Sequence, residues 1–116
     1  MARVLVVDDH PDTVASFSLL LGRMGHEVCA VTSGAEALRL AREFHPEVAL
    51  IDIHMPEVDG HEVARGLRTT PGLEQALLVA MTGFASGDRR RAPEGDFDIF
   101  LLKPVSPIDL AALLSI

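Results

Sequence analysis

The sequence predicts an open α/β sheet of five parallel strands, doubly wound, with helices on both faces. Three observations carry this. Five short apolar runs recur along the 116 residues, each continuous rather than alternating, as strands of a parallel sheet covered on both faces read. The intervals between them carry apolar residues at helical spacing. The ends of those intervals carry the residues that start and stop helices. Strand–helix alternation sustained in this way gives a parallel sheet with right-handed crossovers. With no linker, repeat or low-complexity segment to interrupt it, residues 1–116 read as one domain.

The first strand is Val4–Val7. A proline follows at His10-Pro11, where the first turn of a helix tolerates it, and Val14, Phe17, Leu21 and Met24 make one apolar stripe. Gly25 sits where that helix would end in a left-handed cap. The second strand is Val28–Val31. Ser33-Gly34-Ala35-Glu36 after it has the form of a capping box, opening a helix that carries Leu38 and Ala41. The third strand, Val48–Ile51, leads through an Asp59-Gly60 turn to a helix with Val63 and Leu67. The fourth strand is Leu77–Met81. The helix expected next, across Ser86 to Gly95, is nearly all polar and holds Gly87 and Pro93. A proline in a helix interior costs roughly 3 kcal/mol, so this element is expected to be short, irregular or mobile. The fifth strand is Ile99–Leu102; Ser106-Pro107 then starts a last helix with Leu110, Leu113 and Leu114.

Composition narrows the function. A net charge of −7 argues against nucleic-acid binding, which needs clustered cations, and the single basic run Arg89-Arg90-Arg91 reads as a solvated helix face. There is no Trp or Tyr to stack on bases. Cys29 is the only cysteine, so no internal disulfide forms; its apolar surroundings mark a structural thiol and a reducing, cytoplasmic setting. No apolar run approaches the ~20 residues of a membrane span, and the charged, short start is no signal peptide.

Ligands of an open parallel sheet bind outside the carboxyl ends of its strands. The first strand ends in Asp8-Asp9, the third in Asp52, the fourth in Thr82 and the fifth in Lys103-Pro104. The second ends in Thr32-Ser33, which reads as helix capping. Each alone is ordinary: an acidic helix start, a turn residue, a loop hydroxyl, a surface charge. Together at consecutive strand exits they make a pattern. Two like charges ~4 Å apart repel by about 4 kcal/mol at an effective dielectric near 20, so three carboxylates beside one Lys call for a cation. Oxygen ligands without a His/Cys cluster of zinc spacing suit Mg²⁺ (or Mn²⁺), which seeks a phosphate. An ion bridging Asp9 and Asp52 would leave one Asp52 oxygen for attack on phosphorus, with Lys103 neutralising the transferring group.

The segments Val4-Leu5-Val6-Val7-Asp8-Asp9-His10, Asp52-Ile53-His54-Met55-Pro56-Glu57-Val58-Asp59-Gly60, Met81-Thr82-Gly83 and Leu102-Lys103-Pro104 together resemble the response-regulator receiver domain, in order and over essentially the whole chain. The resemblance implies a flavodoxin-like sheet of order 2-1-3-4-5 and a phosphoacceptor switch of a two-component system. It implies Asp52 as the phosphorylated residue, Asp9, Asp52 and the His54 backbone carbonyl as direct Mg²⁺ ligands, and Asp8 acting through water. Lys103 would pair with phosphoryl oxygens, Thr82 would move to hydrogen-bond one of them, and the Lys103–Pro104 bond would be cis. Phe100 matches the switch aromatic; a plain core aromatic is the alternative. His54 is a rim side chain or a proton donor, and with Phe84 it would tune the lifetime of the phosphoform. The implied partner is a histidine kinase or histidine phosphotransfer protein, with the domain itself a monomer or weak dimer. The later segments have the flavour of receivers attached to hybrid sensor kinases. Two rivals stand beside this reading: a degenerate receiver acting as a phosphorylation-independent interaction domain, and a haloacid-dehalogenase-like phosphatase, which would want an acid where His54 stands.

Overall fold

The computed structural model describes residues 1–83 and 96–114; the helix expected across 86–95 and Phe84 lie outside them. Strands β1 (Arg3–Val7), β2 (Glu27–Val31), β3 (Val48–Asp52), β4 (Leu77–Thr82) and β5 (Ile99–Leu102) alternate with helices α1 (Pro11–Arg23), α2 (Gly34–Phe44) and α3 (Gly60–Arg68), and α4 (Pro107–Leu114) follows β5. All strand pairs are parallel and the order is β2-β1-β3-β4-β5. This is the fold and strand order expected.

The sheet explains why its strands read as unbroken apolar runs. Successive side chains point to opposite faces, and both faces are covered. Leu5, Val7, Ala49, Ile51, Leu78 and Ala80 pack with Ala37 and Ala41 of α2 and with Val63 and Leu67 of α3. Val4, Val6, Leu50, Val79 and Met81 pack on the other side with Phe17 and Leu21 of α1 and Leu110 of α4.

The caps agree in part with expectation. Pro11 opens α1, and Gly25 beyond its end has φ 92°. Ser33 Oγ accepts the Glu36 amide at 3.1 Å, but the reciprocal half of the box does not form. Glu36 instead takes the Arg39 guanidinium at 2.7 and 3.0 Å. The full capping box lies at the start of α3, where Asp59 and Glu62 each accept the other's amide at 3.0 and 3.2 Å. Ser106 caps α4 through the Asp109 amide at 3.1 Å.

Gly60 packs closely against the carboxyl end of β3. A Cβ there would lie 2.6 Å from the Asp52 carbonyl oxygen and 2.7 Å from Ile53 Cα, both backbone atoms with no rotamer to yield. Gly60→Ala is expected to destabilise the fold by about 2 kcal/mol, the usual scale for forced overpacking, read as a lower urea midpoint at unchanged slope.

Candidate functional site

The carboxyl ends of β1, β3, β4 and β5 bring the expected residues to one edge. Asp8 and Asp9 follow β1; the Asp8 amide extends the ladder by donating to the Val31 carbonyl at 3.2 Å. Asp52 and Thr82 are the last residues of β3 and β4 rather than the residues just past them. The ladder continues through Ile53, whose amide donates to the Met81 carbonyl, and through Lys103, whose amide donates to the Thr82 carbonyl at 2.7 Å. That last bond fixes the base of the Lys103 side chain. The Lys103–Pro104 peptide is cis, as the resemblance implied.

Asp8, Asp52 and Thr82 are buried. Lys103, the only lysine in the sequence, reaches across them: its Nζ donates to Asp8 Oδ2 at 2.8 Å and stands 3.5 Å from Asp52 Oδ2. Asp8 therefore meets Lys103 directly, and its Oδ1 also accepts the His10 amide at 3.0 Å. Asp52 Oδ1 accepts the His54 amide at 3.2 Å, while the His54 residue is exposed.

The charges settle unequally. Burial pushes Asp8 upward, but the Lys103 hydrogen bond, the His10 backbone and ring contacts and the Lys103 charge together hold it below the ordinary carboxylate range. Asp52 is raised, first by burial, and the neighbouring Asp8 and Asp9 add to this against Lys103 and the His54 amide. Burial alone would lower Lys103; the bond to Asp8 and the charges of Asp52 and Asp8 raise it instead. Asp52 thus keeps a surplus of negative charge that its single cation does not cancel.

Asp9 Oδ1 is the telling atom. It is buried with no hydrogen-bond partner, and such oxygens normally have one. Ligand atoms from Asp8, Asp9, His10 and Asp52 all lie within 4.8 Å of one another. A cluster of hard oxygens with one of them orphaned fits a small divalent cation.

Phe100 pairs in register with Ala80 and is half-buried. It meets Phe97 edge-on at 5.9 Å, and Phe97 meets His61 of α3 edge-on at 5.4 Å. Phe97, a buried core ring, has no place in the sequence reading, and neither has the ring of His10; the proximity of His10 to Asp8-Asp9 in the chain is the signal that points to it.

Residues 4–115 match the family described as the response regulator receiver domain. The polar-differentiation response regulator DivK of Brucella ovis is 38% identical over 104 residues, covering 89% of this chain and 85% of that protein. Among solved structures, the Vibrio cholerae chemotaxis protein CheY4 superposes with a TM-score of 0.90 at 28% identity, covering 99% of this chain and 97% of that one. The receiver domain of the sensor histidine kinase PA1611 from Pseudomonas aeruginosa has a TM-score of 0.87 at 25% identity, over 98% of this chain and 94% of its own, and carries a magnesium ion coordinated in its active-site cleft. With its strand order, its acidic rim and a family match over nearly its whole length, the chain belongs to the response regulator receiver domains.

Proposed function

We propose that this receiver accepts a phosphoryl group from a phosphohistidine onto Asp52. The observation that supports this most is the pairing of a buried, charge-surplus Asp52 with Lys103 Nζ at 3.5 Å beside the orphaned Asp9 oxygen. Asp52 Oδ2 attacks phosphorus, the bond to the histidine nitrogen breaks, and the donor imidazole leaves. Lys103, held by Asp8, stands ready to pair with the phosphoryl oxygens. Asp9, Asp52 and the His54 carbonyl would hold Mg²⁺ (or Mn²⁺), and Asp8 would act on it through water. Bound there, the ion supplies charge neutralisation and a hold on the phosphate. Thr82 then engages the phosphoryl group and Phe100 responds, while His54 and Phe84 set how long the phosphoform lasts. A groove of about 530 Å³ between α1 and the β5–α4 connection, lined by Asp12, Ser16, Phe17, Lys103, Pro104 and Val105, gives a donor protein an approach to the site.

Receiver domains are signalling switches, not turnover enzymes. Family membership also sets aside the haloacid-dehalogenase alternative. The phosphorylation-independent interaction domain is separated from the switch by incubation with Mg²⁺ and acetyl phosphate. One phosphoryl adduct on Asp52 by peptide mass, with altered amide exchange at Thr82 and Phe100, is expected. No adduct with any phosphodonor would leave only the interaction role. The ion itself has a thermal signature: Mg²⁺ at a hundredfold excess over its Kd should stabilise the fold by about 2.7 kcal/mol, and Asp9→Asn should lose most of that gain in calorimetry.

A further inference from the structure

We infer that Asp98, clasped by Arg68 of α3, is a positioning residue for Lys103: it sets the register of β5 and so aims the ammonium at the rim. For its effect on transfer, the inference rests on the reading of Asp52 as the phosphoacceptor. β5 has only four residues, stands last in the sheet order and leaves its side chains half-buried or exposed. Apolar packing alone therefore specifies its register weakly, unlike that of β3, which is buried throughout. Lys103 is the next residue, so any slip of β5 carries it along. A shift by one position would turn every side chain of the strand to the opposite face.

Polar bonds at the amino end of β5 supply the missing constraint. The Asp98 amide donates to the Leu78 carbonyl at 2.8 Å, and the Leu78 amide donates back to Asp98 Oδ2 at 2.9 Å. A carboxylate oxygen thus takes the place of a ladder carbonyl for the amide of fully buried Leu78. The same oxygen accepts Arg68 Nη2 at 2.9 Å. Arg68 also donates to the carbonyls of Glu74 and Ala76 before β4 and of Asp96 before β5, at 2.9, 2.8 and 2.8 Å. The planar guanidinium fork ties the entries of two neighbouring strands to the end of α3. With Asp98 fixed at one end and the Lys103 amide bonded to the Thr82 carbonyl at the other, the residues between hold one register. Lys103 Nζ then falls 2.8 Å from Asp8 and 3.5 Å from Asp52.

Lys103 is the only lysine in the sequence, so ¹³C-lysine labelling gives one ε-methylene signal whose relaxation reports how firmly that side chain is held. A rigid signal is expected in the wild type and a mobile one in folded Asp98→Ala. The same change should slow labelling of Asp52 by acetyl phosphate roughly ten- to a hundredfold, the scale on which a small misplacement acts. Asp98→Asn keeps an oxygen for the Leu78 amide and should restore both readings to within about twofold of the wild type. Ala37→Gly in α2 lowers stability by a different route and should leave the Lys103 signal rigid. Should Asp98→Ala fail to fold, Arg68→Gln, which releases Asp98 from α3, is expected to give the mobile signal instead. A rigid signal in the folded variants, labelling as fast as in the wild type, or equal loosening by Ala37→Gly overturns the inference. A wild type that takes no phosphoryl group, with Lys103 rigid there and loosened in Asp98→Ala, would sink the phosphoacceptor reading and leave the role of Asp98 standing.

Discussion

Asp52→Asn is expected to reduce phosphoryl labelling to background while leaving the protein at least as stable as before. The amide has no anionic oxygen to attack phosphorus, so the chemical loss is complete. Stability moves the other way because ionised Asp52 is buried and repelled by Asp8 and Asp9. Removing that charge should raise stability by about 1 kcal/mol in the absence of divalent ions, a shift of a few degrees in Tm. The pH dependence supplies an independent check. A carboxyl whose folded-state pKa is raised stabilises the fold below its ordinary value of 3.8 and loses that contribution as pH rises through the folded value. The stability advantage of the variant should therefore shrink as pH falls toward 3.8. Saturating Mg²⁺ should also shrink it, since the ion neutralises the wild-type rim and finds a poorer site in the variant. Melting curves across pH, with and without Mg²⁺, measure both. A variant that loses labelling and also loses stability in every condition would mean that Asp52 is chiefly a structural residue.

Lys103→Ala should be the most damaging change to the rim itself. It removes the cation that holds Asp8 at 2.8 Å and stands 3.5 Å from Asp52, leaving two buried carboxylates face to face. Breaking a fully buried pair costs about 3–5 kcal/mol; with 24% of the Lys103 side chain exposed, about 2–3 kcal/mol is expected. A lysine whose folded pKa is raised contributes this stability below its ordinary value of 10.5 and loses it as pH climbs through the folded value. Asp8, lowered in the fold, contributes its share above 3.8 and loses it as pH falls through its folded value. The wild-type advantage over Lys103→Ala should therefore be broad across neutral pH and fade at both extremes. Mg²⁺ should recover part of the lost stability, but phosphorylation should stay slow because the ion cannot stand in for Nζ at the transferring group. Denaturant titration and acetyl phosphate labelling of the same samples separate the two effects.

The strands were legible because both faces of the sheet are buried, so residues of either parity had to be apolar. The rim was legible for a related reason: a parallel sheet gathers its strand exits on one edge, and the exits of β1, β3, β4 and β5 carry Asp8, Asp9, Asp52, Thr82 and Lys103. Pattern failed where one side chain had a choice of partners. Glu36 can turn back to the Ser33 amide or forward to Arg39, and the guanidinium three residues on wins. Asp59-Gly60 has the composition of a turn, and that composition masked the Asp-x-x-Glu pattern through which Glu62 completes a capping box. His10 was hidden behind Pro11, which marks a helix start so strongly that the histidine reads as mere punctuation. The file of rings His61, Phe97 and Phe100 joins α3 to β5 across 36 to 39 residues of chain, a pairing that no local spacing announces.

The central place of β1 has a consequence for how the chain matures. Val4 to Val7 are fully buried, yet both neighbours of β1 lie later in the sequence, and β3 begins 41 residues after Val7. At translation speeds of roughly 5–20 residues per second, this sticky segment waits seconds without its flanking strands. The nascent chain must therefore shelter its most aggregation-prone stretch before any sheet exists, and ribosome-bound intermediates truncated between Val31 and Val48 should be the forms that chaperones capture.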